Sequence, residues 1–122
     1  MEMQIETGLS DQIARYLDLA TSEAKLTAAN MANIDTPGYR AVGMDFEAEM
    51  REAMTDVDKG RAARAVRVEP VDGLIARPDG NNVSMDREGL NLAEAQLRFK
   101  TGVALLHQEY QRVLDAIHAD SK

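Results

Sequence analysis

The side chains able to do chemistry are few and far apart. His107 and His118 are the only histidines; on one helix they would share a face yet stand about 16 Å apart along its axis, too far to hold one metal ion. Cysteine is absent, which excludes disulfides and thiolate ligands and leaves the redox compartment open. Glu47, Glu49 and Glu52 make a carboxylate-rich helix start that suits the helix dipole, and with no His or Cys nearby they read as a solvated face. The stretch "DGNNVSMDRE" has the outline of a calcium loop, but with Asp79 as first ligand the fifth position is Val83 and the obligatory glycine position is Ser84. Asn82-Val83-Ser84 is a formal N-glycosylation triplet, a pattern common by chance. No glycine-rich phosphate loop or nucleophile elbow occurs. Neither an enzyme nor a metal site nor a cofactor is expected.

Charge and composition narrow the classes further. The 122 residues carry 21 acidic and 14 basic side chains, a net charge of −7. Residues 1–58 hold 12 acidic and 4 basic side chains, 59–84 hold 3 and 5, and 85–122 hold 6 and 5, so the acidity is N-terminal. Nucleic acid is not an expected partner, because counterion release needs clustered Lys and Arg. No apolar run approaches the roughly 20 residues that span a bilayer, so direct membrane insertion is not expected. The start, "MEMQIETGLSDQ", is acidic where a secretory signal would be basic, so export without a cleaved signal peptide is the expectation for any role outside the cytoplasm. With no Trp, 4% aromatics and 7 Met, the core must be built from Ala, Leu, Ile and Met, the materials of helices meeting along seams.

The helices that could supply those seams are legible. Ser10 or Asp11 can cap a helix whose stripe runs Ile13, Leu17, Ala20, Ala24, Thr27, Met31, Ile34, alternating steps of four and three as in a heptad repeat. A second stripe runs Leu92, Gln96, Phe99, Val103, Leu106, Tyr110, Val113, Ile117 on a helix capped by Ser84 or Asp86 and ending near Ala119, on the order of 50 Å long. Leu97, Leu105 and Leu114 lie off that stripe and widen the apolar face beyond what one neighbour covers. Gly89 and Gly102 each cost this helix roughly 1 kcal/mol relative to Ala, so packing must supply its stability. Between them, Asp45 caps a short helix with Phe46, Met50, Met54 and Val57 on one side and Gly60 as its stop. Within the positively charged segment 59–84, "RAVRVEPVDGLIARPDGNN" alternates briefly at Val66 and Val68 and turns at Pro78-Asp79-Gly80, the marks of a small β-hairpin or extended, solvated arm. The expected fold is mainly α: residues 1–36 and 85–122 are terminal core helices in an antiparallel coiled-coil-like hairpin, and 37–84 hold the turn, short helix and arm.

Where the first helix ends, the sequence reads "AANMANIDTPGYRA". Thr36, preceding Pro37, is biased away from the helical region, so the helix ends by Asp35; Pro37-Gly38 suits a type II turn with Gly38 at positive φ. Asn30 and Asn33, on the last turn, can bond freed carbonyls or cross to a partner backbone.

These residues, with the following "MDF", resemble the N-terminal signature of bacterial flagellar rod and hook axial proteins, and the "DTPGY" form is most similar to the proximal rod members. "GNNVSMDREGLNLAEAQLRFKTGVALL" resembles that family's closing segment. The resemblance covers about half the chain. It implies a non-catalytic structural subunit that self-assembles through its terminal helices into the axial rod crossing the periplasm, after passage through the flagellar export apparatus. Its implied partners are further copies, other rod proteins, the rod-to-MS-ring junction protein and the export apparatus. By position, Asn30, Asn33, Asp35, Thr36, Pro37, Gly38 and Tyr39 match the assembly motif, and Asp86, Arg87 and Glu88 match the second block. A reading from another class, a cytoplasmic helical adaptor or export-chaperone-like hairpin, is favoured by acidity and small size alone.

Overall fold

A computed structural model describes residues 7–120. Three helices carry the chain: α1 (Gly8–Ala32), α2 (Phe46–Asp58) and α3 (Met85–Asp120). Two short strands, β1 (Val42–Gly43) and β2 (Glu69–Pro70), pair antiparallel with Val42 opposite Pro70. The chain is mainly α with one small two-stranded sheet, as its patterning predicts. The second strand's partner comes from the far side of α2 rather than from within the arm.

The cap of α1 lies three residues before the first of the two expected positions. Thr7 is the cap, not Ser10 or Asp11: its hydroxyl accepts from Ser10 N at 3.0 Å, and the Ser10 hydroxyl accepts from Thr7 N at 2.8 Å. This reciprocal pair is a capping box with serine in place of the usual Glu or Gln. Asp45 caps α2 through Ala48 N at 3.0 Å, and Gly60 at φ 66 ends it as expected. Ser84 caps α3, its hydroxyl accepting from Arg87 N at 3.4 Å.

α1 and α3 run antiparallel. Asn30 meets Glu88, Glu23 meets Arg98, Leu17 meets Gly102, and Thr7 meets Glu109, in opposite order along the two helices. Among the described residues the buried apolar side chains are few: Ile13, Leu19, Ala20, Ala41, Val83 and Ala95. α2 docks through Phe46, whose ring meets Tyr16 edge-on at 5.7 Å while the Arg98 guanidinium lies 4.0 Å from its centroid. The same guanidinium holds both oxygens of Glu23, at 2.6 and 2.7 Å, so one arginine of α3 ties α1 to α2. Burial pushes the Glu23 carboxyl above its ordinary value, and Arg98 opposes that shift.

Candidate functional site

The two motif blocks, more than forty residues apart, fold against each other. At the centre is Asn30, 1% exposed. Its amide nitrogen donates to the Val42 carbonyl at 2.7 Å and to Glu88 Oε1 at 3.1 Å; its oxygen accepts from the Tyr39 hydroxyl and from Val42 N, both at 3.0 Å. Both donors and both lone pairs of the amide are in use, which fixes its orientation and makes it irreplaceable by Asp or Leu without loss. Glu88, fully buried, also accepts from Arg87 at 3.0 Å through the same oxygen.

Around this centre two turns dock. Thr36–Tyr39 closes with Tyr39 N donating to Thr36 O at 3.2 Å and Gly38 at φ 75, the geometry predicted for Pro37-Gly38. The second turn closes with Gly80 N donating to Arg77 O at 2.8 Å, and Gly80 takes φ 87. Gly38 N donates to Asp79 O at 2.9 Å, and a Cβ on Gly80 would lie 3.4 Å from Gly38 Cα, so the turns touch backbone to backbone. Arg77 donates to the Ile34 carbonyl and, at 3.1 Å, to Val83 O.

Asn81 and Asn82 lock the pair, and neither was singled out from sequence as structural. Asn81, fully buried, donates to Asn33 O and Thr36 O at 2.9 Å each and accepts from Val83 N at 2.9 Å. These carbonyls lie just past the end of α1, where each also accepts a backbone N–H, from Thr36 and Tyr39 respectively. Asn82, 3% exposed, accepts from Ala41 N at 2.6 Å, so the asparagine of the glycosylation triplet is built into the interior. Pattern alone marks asparagine as a turn former; only the fold reveals which carbonyls it reaches.

The remaining motif residues lie at the rim. Asn33 donates to Ala29 O at 2.8 Å and accepts from the Thr36 hydroxyl at 3.0 Å. Asp35, Thr36, Pro37 and Gly38 are exposed, as is Asp86 on the first turn of α3, while Tyr39 is half-buried. His107 and His118 are exposed, and among the described residues no group of His, Asp and Glu is gathered as a metal would need. Glu47 is exposed, whereas Glu49 and Glu52 are engaged by Arg67 rather than free.

The seam residues divide. On α1, Ile13, Ala20 and Thr27 are buried, and Leu17, Ala24, Met31 and Ile34 half-buried. On α3, Leu92, Leu106 and Val113 are half-buried, but Phe99, Val103, Tyr110 and Ile117 are 44–48% exposed and Gln96 is exposed. The column of α3 that faces α1 is Glu88, Ala95, Gly102, Glu109, at strict seven-residue spacing. It contains no large apolar side chain. Small residues let the helices approach closely, and Glu109 is paired through both oxygens: Oε1 accepts from the Thr7 hydroxyl at 2.9 Å and from Arg112 at 2.7 Å, and Oε2 accepts from Arg112 at 3.0 Å. Arg112, then Thr7, hold the Glu109 carboxyl below its ordinary value.

α3 therefore turns its bulky face outward. Leu90, Leu97, Phe99, Val103, Leu105, Tyr110, Leu114 and Ile117 are all more than two-fifths exposed. Among the described residues no helix is long and apolar enough to cross a membrane.

No family profile matches the chain. Individual relatives do. The chain is similar to the flagellar basal body rod protein FlgB of Salmonella typhimurium, 31% identical over an alignment of 122 residues that takes in 83% of this chain and 86% of that protein. It is 34% identical to FlgB of Cereibacter sphaeroides, across 93% of this chain and 99% of that protein. To FlgB of Escherichia coli it is 27% identical, across 84% and 88%.

Proposed function

The chain belongs to the FlgB family of flagellar basal body rod proteins, and from that premise we propose that it self-assembles through its terminal helices into the proximal part of the rod. Its role is structural, in the basal body. The observation that carries the finer reading is the outward apolar face of α3, from Leu90 to Ile117. Apolar surface on this scale, on a chain whose buried core is small, marks a surface meant for a protein neighbour. Covering the exposed half of such side chains is worth on the order of 1 kcal/mol apiece, so neighbouring subunits supply burial that the single chain lacks.

In this reading the α1–α3 hairpin forms the wall of the rod, its partners being further copies, other rod proteins and the rod-to-MS-ring junction protein. The polar clasp at Asn30 holds the turn and arm at a fixed angle to that hairpin. Export proceeds through the flagellar export apparatus without a cleaved signal peptide, and the rod crosses the periplasm. A helix pair stabilised largely by later neighbours suits passage through a narrow channel.

Val103→Glu with Tyr110→Glu tests the reading, because both side chains are exposed in the single chain and the substitution leaves its core intact. The expected result is a helical, exported protein that is absent from purified hook-basal-body particles. Normal incorporation of the variant would overturn the reading.

A further inference from the structure

Between Gly60 and β2 the chain crosses α1 and α2 as an extended strap, residues 61–68. Its ends are fixed by backbone bonds: Arg61 N donates to Asp56 O at 2.7 Å, and just beyond β2, Val71 N donates to Ala41 O at 3.0 Å. Among the described residues, positions 62–68 make no backbone–backbone hydrogen bond.

What holds the middle is an arginine at every third position. Arg64 reaches both oxygens of Asp56 at 3.1 Å and Glu52 at 3.0 Å. Arg67 reaches Glu52 at 2.5 Å and Glu49 at 3.3 Å, and its backbone N donates to Glu49 at 3.3 Å. Arg61 lies 3.8 Å from Asp56, and Arg15 of α1 donates to the Arg61 carbonyl at 2.8 Å. The three strap arginines stay 57–64% exposed.

Apolar packing beneath the strap is sparse, with Val66 half-buried and Leu19 and Ala53 in the wall below. Ala62, Ala63, Ala65, Val66 and Val68 lie between and beside the arginines. Under them a cleft of about 400 Å³ remains open, with Arg15, Asp18 and Leu19 of α1 and Ala53 of α2 in its wall.

We propose that this strap is a salt-releasable latch: its three arginines close it over the cleft, and it lifts as a unit while the helices stay packed. The arginine heads are exposed, so salt weakens their pairs, most at Glu52, whose side chain is 33% exposed, and least at Asp56, whose side chain is 4% exposed. Short side chains add little burial to resist lifting. Release uncovers Leu19 and Ala53 and frees a basic segment in a chain of net charge −7. The latch rests on this chain's own geometry and stands or falls separately from the assembly reading.

The absence of cysteine makes a clean reporter possible. Ala53→Cys, in the cleft wall, is labelled with a polyethylene-glycol maleimide, and Ala119→Cys on the exposed end of α3 serves as reference. The expected rate at position 53, relative to the reference, rises about tenfold between roughly 20 mM and roughly 500 mM NaCl, as the Debye length falls from about 20 Å to about 4 Å. In the R61A/R64A/R67A background it is high at both salts. A rate indifferent to salt with the arginines present, or protection that survives their removal, would overturn the latch. Trypsin cleavage after Arg64 of the unsubstituted protein, measured against a free peptide of residues 59–69, repeats the salt test without any substitution: salt must speed it, and equal rates would again overturn the proposal.

Discussion

Gly102 of α3 lies so close to Leu17 of α1 that a Cβ built on it would fall 2.5 Å from Leu17 Cδ2, and 3.1 Å from Tyr16 Cδ1. The glycine thus sets the distance between the two long helices. Gly102→Ala is expected to lower stability by about 1–2 kcal/mol, overpacking outweighing the roughly 1 kcal/mol that alanine adds to helix propensity. Gly89, on the same helix, has open space where its Cβ would stand. Gly89→Ala should therefore stabilise by about 1 kcal/mol. Urea unfolding of the two variants reads the opposite signs, and the same sign for both would contradict this account of the contact.

Asn81→Ala removes two donors to the part-buried carbonyls of Asn33 and Thr36 and the acceptor for the buried Val83 N. Both carbonyls keep a backbone donor, Thr36 N at 3.0 Å and Tyr39 N at 3.2 Å, so the stranded group is Val83 N, and a loss of about 1–3 kcal/mol is expected. Hydrogen exchange should speed at Val83. A variant as stable as the parent would mean the clasp contributes nothing.

Gly38→Val forces a β-branched residue to φ 75, a region it resists by about 1–3 kcal/mol, although no atom lies within 4 Å of the new Cβ. Backbone strain alone is therefore under test. The expected outcome is loss of motility with export intact, since the turn sets how α1 hands over to the rest of the subunit. Normal swimming would count against that role.

Acid should act oppositely at two carboxylates. Glu109 sits below its ordinary value, so its partners add stability above the ordinary carboxylate range, and that stability fades as pH falls through the lowered value. Glu23 sits above its ordinary value, so its burial weighs against the fold at neutral pH and is relieved as pH falls through the raised value toward the ordinary one. Thermal melts from about pH 6 to about pH 3 should show a shallower acid loss for Glu109→Gln and a steeper one for Glu23→Gln. Parallel curves for both variants would contradict the assignment.

Much of the framework was legible because it is local. Asp45, Gly60 and Ser84 mark helix ends by short-range rules, and Pro37-Gly38 dictates its own turn. Thr7 escaped because Ser10 and Asp11 are equally good caps three residues on, and what selects Thr7 is its reach to Glu109 across the hairpin. Asn81 and Asn82 escaped for a related reason: side-chain bonds to a backbone forty residues away leave no periodic trace. The α3 contact misleads a count of apolar residues, since its column is Glu88, Ala95, Gly102 and Glu109, while the bulky stripe through Phe99 and Val103 faces out.

That outward stripe carries the central claim, and one measurement reaches it directly. Val103→Cys, on a chain otherwise free of cysteine, places a thiol on the exposed face of α3. Maleimide labelling should be fast in the dilute purified protein and suppressed at least about tenfold in intact hook-basal-body particles, where a neighbour covers the site. Equal labelling in both would show that α3 keeps this face to the solvent, and assembly through it would be excluded.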